Sequence, residues 1–559
     1  MIDLGLKKND FMQGAFIATI GIVISKILGI IYVIPFYQII GEQGGALYGY
    51  AYNIYALFLG ISQAGIPLAM SKITSEYNTL GYFKAKRKAF KIGKWSLTIL
   101  GVVSFLLLFF FAPQFAKLIL GDIKGGNTIE DVTYVVRIIS TAILVVPILS
   151  VTRGYLQGHK YITPTSISQV IEQLIRVIII VLGSYVALRM FNQSLTTTVG
   201  VAVFSATVGA LLSYVYLLRV LSKNKKNIEE VVEDSEEPDI KGAEIVKKIF
   251  MYALPFIMID VVNAMYNSVD VITLVKILVN DYGYTMQYAE SIMSVISTWG
   301  AKLNMIIASV NTGIIVSLIP NITASFVKND MKEVRHKINQ SLQMLLFLVV
   351  PMVAGLSFLA GPVWTVFYGS GAALSYGTTA YAYFVFIALA MALYTSTITI
   401  IQILKEYKAV LLLLLSGLVL KIACNVPLIF LFDKLGLPAY YGAFTATILG
   451  DIGPAILAII YLYKKYDVNF GETFKKLGKI LVSCLAMVAV LFLLTFIVPI
   501  NLTSRLKNVV VIVIYMLVGI AVYFGINYKF GNIHDVFGKG NVDKIINKIF
   551  RRKKKLLEK

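Results

Sequence analysis

The sequence predicts an all-α integral membrane protein: fourteen transmembrane helices, arranged as two pseudo-symmetric six-helix lobes plus two C-terminal helices. Three observations predict it. The 559 residues are 58% hydrophobic, with a mean hydropathy of +0.78, far above the composition of a soluble domain. Apolar runs of about 20 residues, enough to cross roughly 30 Å of hydrocarbon, recur along the whole chain. Similar residue groups also recur on either side of its one sizeable polar insertion. Ten ionisable residues nevertheless sit inside the apolar runs: Lys26, Arg137, Glu172, Arg176, Asp260, Asp270, Lys276, Lys302, Lys421 and Asp451. A charge at the bilayer centre costs at least roughly 2.5 kcal/mol. Such a set implies an internal polar path for a charged substrate, which is the pattern of a transporter.

The first run, 11–40, follows Lys7 and Lys8 but is too long for a signal peptide and lacks a small-residue cleavage site, so it reads as a retained helix. It carries Lys26 near mid-membrane, beside Ser25 and Gly29. Runs at 48–75, 93–116, 131–153, 163–188 and 197–221 complete a first lobe, residues 1–221. In helix four, Arg137 lies near one end and can snorkel. In helix five, Glu172 and Arg176 are spaced i, i+4 and are expected to neutralise each other. Residues 222–248 follow as a charged linker, with an acidic block at 229–237 and Pro238.

The second lobe, residues 249–465, holds runs at 249–279, 288–326, 339–359, 378–403, 408–432 and 440–463. Its first helix is the most polar of all. Asp260, Asn263, Asn267 and Asp270 fall at i, i+3, i+7 and i+10, and Lys276 follows. That face is expected to look into a cavity, with the two acids holding a coupling cation (Na+ or H+) or balancing nearby lysines. Lys302 in helix eight again stands among small or polar neighbours, Gly300 and Asn304. Lys26 and Lys302 each need a counter-charge, with Asp260, Asp270 or an anionic substrate as candidates. For Lys421 in helix eleven the candidate partner is Asp451 in helix twelve. Runs at 477–499 and 508–528, within residues 466–528, are almost uncharged and suit a groove for a long lipid tail. The tail, residues 529–559, has an apolar stripe of Val542, Ile545, Ile546, Ile549 and Phe550 ahead of five consecutive positive charges at 551–555. It reads as an interfacial helix on anionic membrane lipids.

The duplication rests on offsets. Gln157, Lys160 and Arg176 meet Gln402, Lys405 and Lys421 at a constant 245 residues. Phe204-Ser-Ala-Thr207 meets Phe444-Thr-Ala-Thr447 at 240, and Ile66-Pro67 and Ile319-Pro320 are each expected to end a helix ahead of a basic loop. Six helices per lobe gives parallel repeats, which place substrate at the lobe interface and transport by rocking. The net charge of +21 does not mean nucleic acid here, because its distribution tracks the helix count. Six Lys and Arg lie within spans, and six (Lys117, Lys124, Arg189, Lys434, Arg505 and Lys507) lie in odd-numbered connections. The rest fall on the termini and even-numbered connections, which puts both termini in the cytoplasm. Tyr32, Tyr37, Tyr48, Trp95 and Tyr461 at span ends fit an interfacial belt.

Cofactor chemistry finds no foothold. Cys424 and Cys484 sit singly in apolar helices, His159, His336 and His534 are scattered, and there is no nucleotide-binding glycine loop. An integral membrane glycosyltransferase would need catalytic groups on sizeable external loops, and the odd-numbered connections are short.

Several of these segments resemble the MurJ/SpoVB branch of the MOP exporters. They are Ser25-Lys26-Ile27-Leu28-Gly29, then Leu57-Phe58-Leu59 and Ala64-Gly65-Ile66-Pro67-Leu68-Ala69-Met70-Ser71-Lys72. Above all they include Arg153-Gly154-Tyr155-Leu156-Gln157-Gly158 through Thr163-Pro164 and Gln169-Val170-Ile171-Glu172-Gln173. The likeness is strongest over residues 10–180. It implies a V-shaped bundle in the bacterial cytoplasmic membrane, monomeric, that flips an undecaprenyl-pyrophosphate-linked sugar, typically lipid II, between leaflets. It further implies that cations of helices one, two and eight meet the pyrophosphate, with Lys26 and Lys302 at two of those places. Two departures stand out: Val33 replaces a second helix-one arginine, and helix two begins Tyr48-Gly-Tyr-Ala-Tyr-Asn53 without a cation, so a less basic cavity is expected. The alternatives are a MATE-type drug exporter coupled to Na+ or H+, and a flippase for another polyprenyl-linked glycan.

Overall fold

The computed structural model describes residues 11–63, 65–121, 125–228, 240–370, 374–500, 502 and 504–533. The acidic block of the linker, Lys7 and Lys8, His534 and the stripe and basic cluster of the tail lie outside the described residues.

The helices are α1 Phe11–Ile31, α2 Val33–Thr79, α3 Phe83–Phe110, α4 Ile129–Gly158, α5 Ile162–Met190, α6 Leu195–Lys223 and α7 Gly242–Asn280. They continue with α8 Met286–Ile315, α9 Met331–Phe358, α10 Ser375–Ile403, α11 Tyr407–Lys434, α12 Tyr440–Tyr466, α13 Gly471–Leu494 and α14 Arg505–Lys529. Among the described residues, 13 helices are long and apolar enough to cross a membrane, and α1 is the further helix the sequence predicts. The first two predicted runs divide differently. The chain breaks after Ile31 and restarts at Val33, with Pro35 in the new first turn, where its missing N–H is harmless. α2 then kinks at Gly41 (φ 62°) and again at Gly65 (φ 67°), so Pro67 opens the segment Ile66–Thr79 rather than ending a helix. Nor does Pro320 end its helix: α8 stays helical beyond its apolar stretch, which closes at Ile315, and runs on to Val327.

Local structure repeats at offsets close to those seen in the sequence. α3 and α9 are each 28 residues long, and each is followed by a nine-residue helix (Ala112–Leu120 and Ala360–Tyr368) that closes on a glycine of positive φ. Lys160 and Lys405, 245 residues apart, both adopt φ 65°. This left-handed conformation is uncommon for a residue with a side chain. Each closes its turn with the same bonds. Lys160 N–H donates to Gln157 O (2.9 Å) and Lys405 N–H to Gln402 O (2.9 Å); Tyr161 and Glu406 then reach back to Leu156 and Ile401.

The chain forms two compact units. The first is Met1–Met305 with Lys421–Ala443, and the second is Ile306–Leu420 with Phe444–Lys559. The linker does not divide them, because α7 and the first half of α8 pack on α2. Glycines make those crossings close. A Cβ on Gly49 would lie 2.1 Å from Ser297 Oγ, and one on Gly60 would rest on Asp260. At one end of the first unit Lys248 Nζ on α7 bonds Glu76 of α2 (2.7 Å), and Lys72 Nζ stands 3.9 Å above the Tyr252 ring. At the other, buried Glu290 accepts from Asn127 N–H (3.1 Å) and Nδ2 (2.7 Å). In the second unit α13 and α14 lie on α9, through Gln343 Nε2 to Thr473 Oγ1 (3.0 Å) and Tyr523 O–H to Phe347 O (2.8 Å).

Candidate functional site

Inside the first unit lies a cavity of about 500 Å³. α1 gives it Ser25, Lys26 and Gly29. α2 gives Tyr48 and Tyr52, α4 gives Arg153, α5 gives Gln169, Glu172, Gln173 and Arg176, and α8 gives Ser297, Thr298, Lys302 and Met305. The spacings are those of helix faces: i, i+1, i+4 on α1 and i, i+3, i+4, i+7 on α5. A turn of π-helix, Val295–Trp299, interrupts α8 just before Lys302, and such bulges recur at functional sites.

Four cations line this space against one carboxylate. Arg153 Nη2 meets Glu172 at 2.9 Å and donates to Ser213 Oγ (3.0 Å), while its Nε donates to Ser168 Oγ (2.8 Å). The sole acid is therefore tied down. Lys302 Nζ stands 5.3 Å over the Tyr32 ring, a cation–π contact. Arg176 lies among Tyr52, Glu172, Tyr55 and Tyr48, within the field of that carboxylate though not bonded to it. Three polar atoms at the wall are buried with no hydrogen-bond partner among the described residues: Ser25 Oγ, Tyr52 Oη and Arg176 Nε. A buried orphan donor costs about 1–3 kcal/mol, so a ligand that satisfies all three gains that energy back.

The Arg153-Gly-Tyr-Leu-Gln-Gly158 segment explains itself here. Gly154 and Gly158 share the α4 face turned to α2, where a Cβ would sit 2.4 Å from Pro67 O and 2.5 Å from Thr74 Cβ. That close approach leaves Arg153 and Gln157, also i, i+4, on the face open to the interior.

The structure gathers Lys26, Glu172, Arg176 and Lys302 into one place, and it corrects several pairings. Glu172 bonds Arg153 on α4 rather than Arg176 on its own helix. Lys421 bonds Asp270 (2.8 Å), not Asp451, and Asn425 Nδ2 donates to the other Asp270 oxygen (2.8 Å). Asp451 is buried on α12 of the second unit. The polar face of α7 does not line this cavity. At about 100° per residue, Asp260 and Asp270 point roughly 80° apart. Asp260 lies against Gly60 of α2, Ser268 O–H donates to Asn53 Oδ1 (2.9 Å), and Asp270 turns to α11. Asn263 is half-buried and Asn267 exposed; neither borders the cations. Arg153 was missed as a site residue because it ends its apolar run, where an arginine reads as an interfacial anchor. Among the described residues no three His, Cys, Asp or Glu side chains group as a metal site.

A positively charged, amide-lined hollow can hold an anionic, hydrogen-bonding headgroup. The family described as polysaccharide biosynthesis protein matches residues 11–326. The lipid II flippase MurJ of Bacillus subtilis (strain 168) is 34% identical over 541 residues, covering 95% of this chain and 97% of that one. Among solved structures, a lipid II flippase MurJ in an inward closed conformation superposes with a TM-score of 0.67 at 16% identity, covering 92% of this chain and 99% of that one. An inward-facing multidrug resistance MATE transporter of the MOP superfamily gives 0.62 at 12% identity, with 80% and 98% covered.

Proposed function

This chain belongs to the polysaccharide biosynthesis protein family, and from that membership we propose that it is a flippase for a polyprenyl-pyrophosphate-linked peptidoglycan precursor, lipid II. It is a multi-pass protein of the bacterial inner membrane, a transporter and not an enzyme. The observation that carries the reading is the charge of the cavity: four cations, one already-bonded carboxylate and three unpartnered polar atoms. A lipid diphosphate must shelter its negative charges while its sugars cross. Lys26, Lys302 and Arg176 give them that shelter, and the lipid chain stays in the bilayer. The collinear match to the Bacillus subtilis flippase over 95% of the chain supports lipid II over other glycans.

Transport proceeds by alternating access from the inner to the outer leaflet, with both termini cytoplasmic, the protein acting as a monomer and its basic tail on anionic lipids. Membrane potential supplies about 2.3 kcal/mol per charge per 100 mV. Should a cation gradient (Na+ or H+) contribute, Asp260 is the α7 acid left for it, since Asp270 is bonded to Lys421. The likeness to MATE transporters extends to fold alone, and a surplus of positive charge suits an organic cation badly. The test is rescue of cells depleted of their lipid II flippase. Wild type restores growth, and Lys26→Ala and Lys302→Ala fail or rescue poorly at equal membrane expression. Full rescue by both variants refutes this site, and drug resistance without rescue favours the exporter.

A further inference from the structure

A second hollow of about 410 Å³ opens from the first and shares Tyr52, Arg153, Gln169, Glu172 and Arg176 with it. Its remaining lining adds no charge: Tyr55, Ala56, Leu59, Pro67, Val146, Ser150 and Gln157. With Arg153 and Glu172 bonded to each other at 2.9 Å, this lining keeps one further cation, Arg176, against three (Lys26, Arg176 and Lys302) in the first hollow. Lys26 and Lys302 border only the first hollow.

We infer that this less charged hollow is a headgroup subsite, in which Gln157 and Gln169 read the hydroxyl and amide groups of the carried glycan. The inference rests on the flippase reading above and deepens it. Gln157 and Gln169 are half-buried and line the hollow, and neither side-chain amide is hydrogen-bonded to a described residue. Each amide offers two donors and an acceptor. Tyr52, whose hydroxyl is buried and unpartnered, lines the same hollow. Tyr55, Leu59, Pro67 and Val146 supply flat apolar walls, against which the C–H faces of a sugar pack. A few convergent neutral polar groups on an apolar wall suit a polyhydroxylated or N-acylated ligand rather than a bare phosphate. Discrimination follows from chemistry already noted: a pocket built to bond hydroxyl and amide groups rejects an analogue that lacks them, because its own groups then stay unpaired. Position is fixed by the glycines of α4, which press that helix on Pro67 and hold Gln157 at the wall.

The experiment compares two probes on purified full-length protein in lipid nanodiscs: undecaprenyl pyrophosphate, and the same lipid carrying the disaccharide-peptide of lipid II. One net hydrogen bond is worth about 0.5–1.5 kcal/mol, so Gln157→Leu and Gln169→Leu should each weaken the glycosylated probe roughly three- to tenfold. Their affinity for the bare diphosphate stays within about twofold, which also certifies that the variants are folded. Lys302→Met, by contrast, weakens both probes alike. Equal losses for both probes in the glutamine variants, or no loss for either, overturn the subsite while leaving the flippase reading intact. Failure of wild type to bind either probe overturns both.

Discussion

The ion pair between α7 and α11 of the first unit allows a sharp energetic test. Lys421 and Asp270 side chains are 1% and 6% exposed and 2.8 Å apart. The same carboxylate accepts from Asn425, Thr273 O–H donates to Asn425 Oδ1 (2.8 Å), and the ammonium sits 4.2 Å above the Tyr266 ring. Lys421→Met removes the cation and leaves a carboxylate buried among apolar helices, and Asp270→Asn strands the ammonium. Breaking a buried pair from one side costs about 3–5 kcal/mol, or roughly two to four orders of magnitude in the folded population. Replacing both partners together is close to neutral, because the desolvation penalty disappears with the attraction. The double variant should therefore recover most of what either single variant loses, with a coupling of about 3 kcal/mol or more. The assay is the unfolding midpoint of purified protein in one detergent–lipid mixture for wild type, both singles and the double. Additive losses, or singles within about 1 kcal/mol of wild type, would refute the reasoning.

Two further outcomes follow from the packing and the charge. Gly154→Ala puts a Cβ 2.4 Å from the Pro67 carbonyl oxygen and 2.8 Å from its Cα. Since backbone cannot step aside, stability falls by about 1–3 kcal/mol, whereas Gly478→Ala, inside a helix with nothing within 4 Å, keeps or raises the unfolding midpoint. In vesicles holding an inside-negative potential, collapse of that potential should slow repeated lipid flipping, and unchanged rates in depolarised vesicles would exclude charge movement as the driving step.

The helices were legible because crossing a bilayer imposes a length and a composition, and fourteen runs meet both. The duplication was legible because a left-handed turn at Lys160 and again at Lys405 leaves matching residues around it. Lys26 and Lys302 announced themselves as cations too deep to be accidental. Partner choice was another matter. Periodicity says which face of a helix a charge occupies, not which distant helix that face meets. With several acids and bases on offer, Glu172 was assigned to Arg176 four residues away and not to Arg153, and Lys421 to Asp451 and not to Asp270. Asn425, one turn after Lys421, was the available hint, since a second polar residue on the same face marks a buried polar contact. The α7 stripe misled for a geometrical reason: ten residues of helix rotate the two aspartates onto different neighbours.

A fold shared with drug exporters leaves cargo to be decided by the sign of the interior. The lining counts three more cations than carboxylates, and a lipid diphosphate brings about two negative charges, so the loaded chamber is nearly neutral and the empty one strongly positive. Inside-negative voltage then acts little on the crossing of the loaded protein. Its main effect falls on the empty return, which it favours by up to about 2.3 kcal/mol per 100 mV for each charge carried across the whole field. An organic cation would raise the interior charge further and find no carboxylate to meet it, because Arg153 holds the only one. The Arg153–Glu172 pair thus ties down the one acid of the lining that would attract cations. The lining keeps more cations than carboxylates although α2 carries no cation where the family pattern has one.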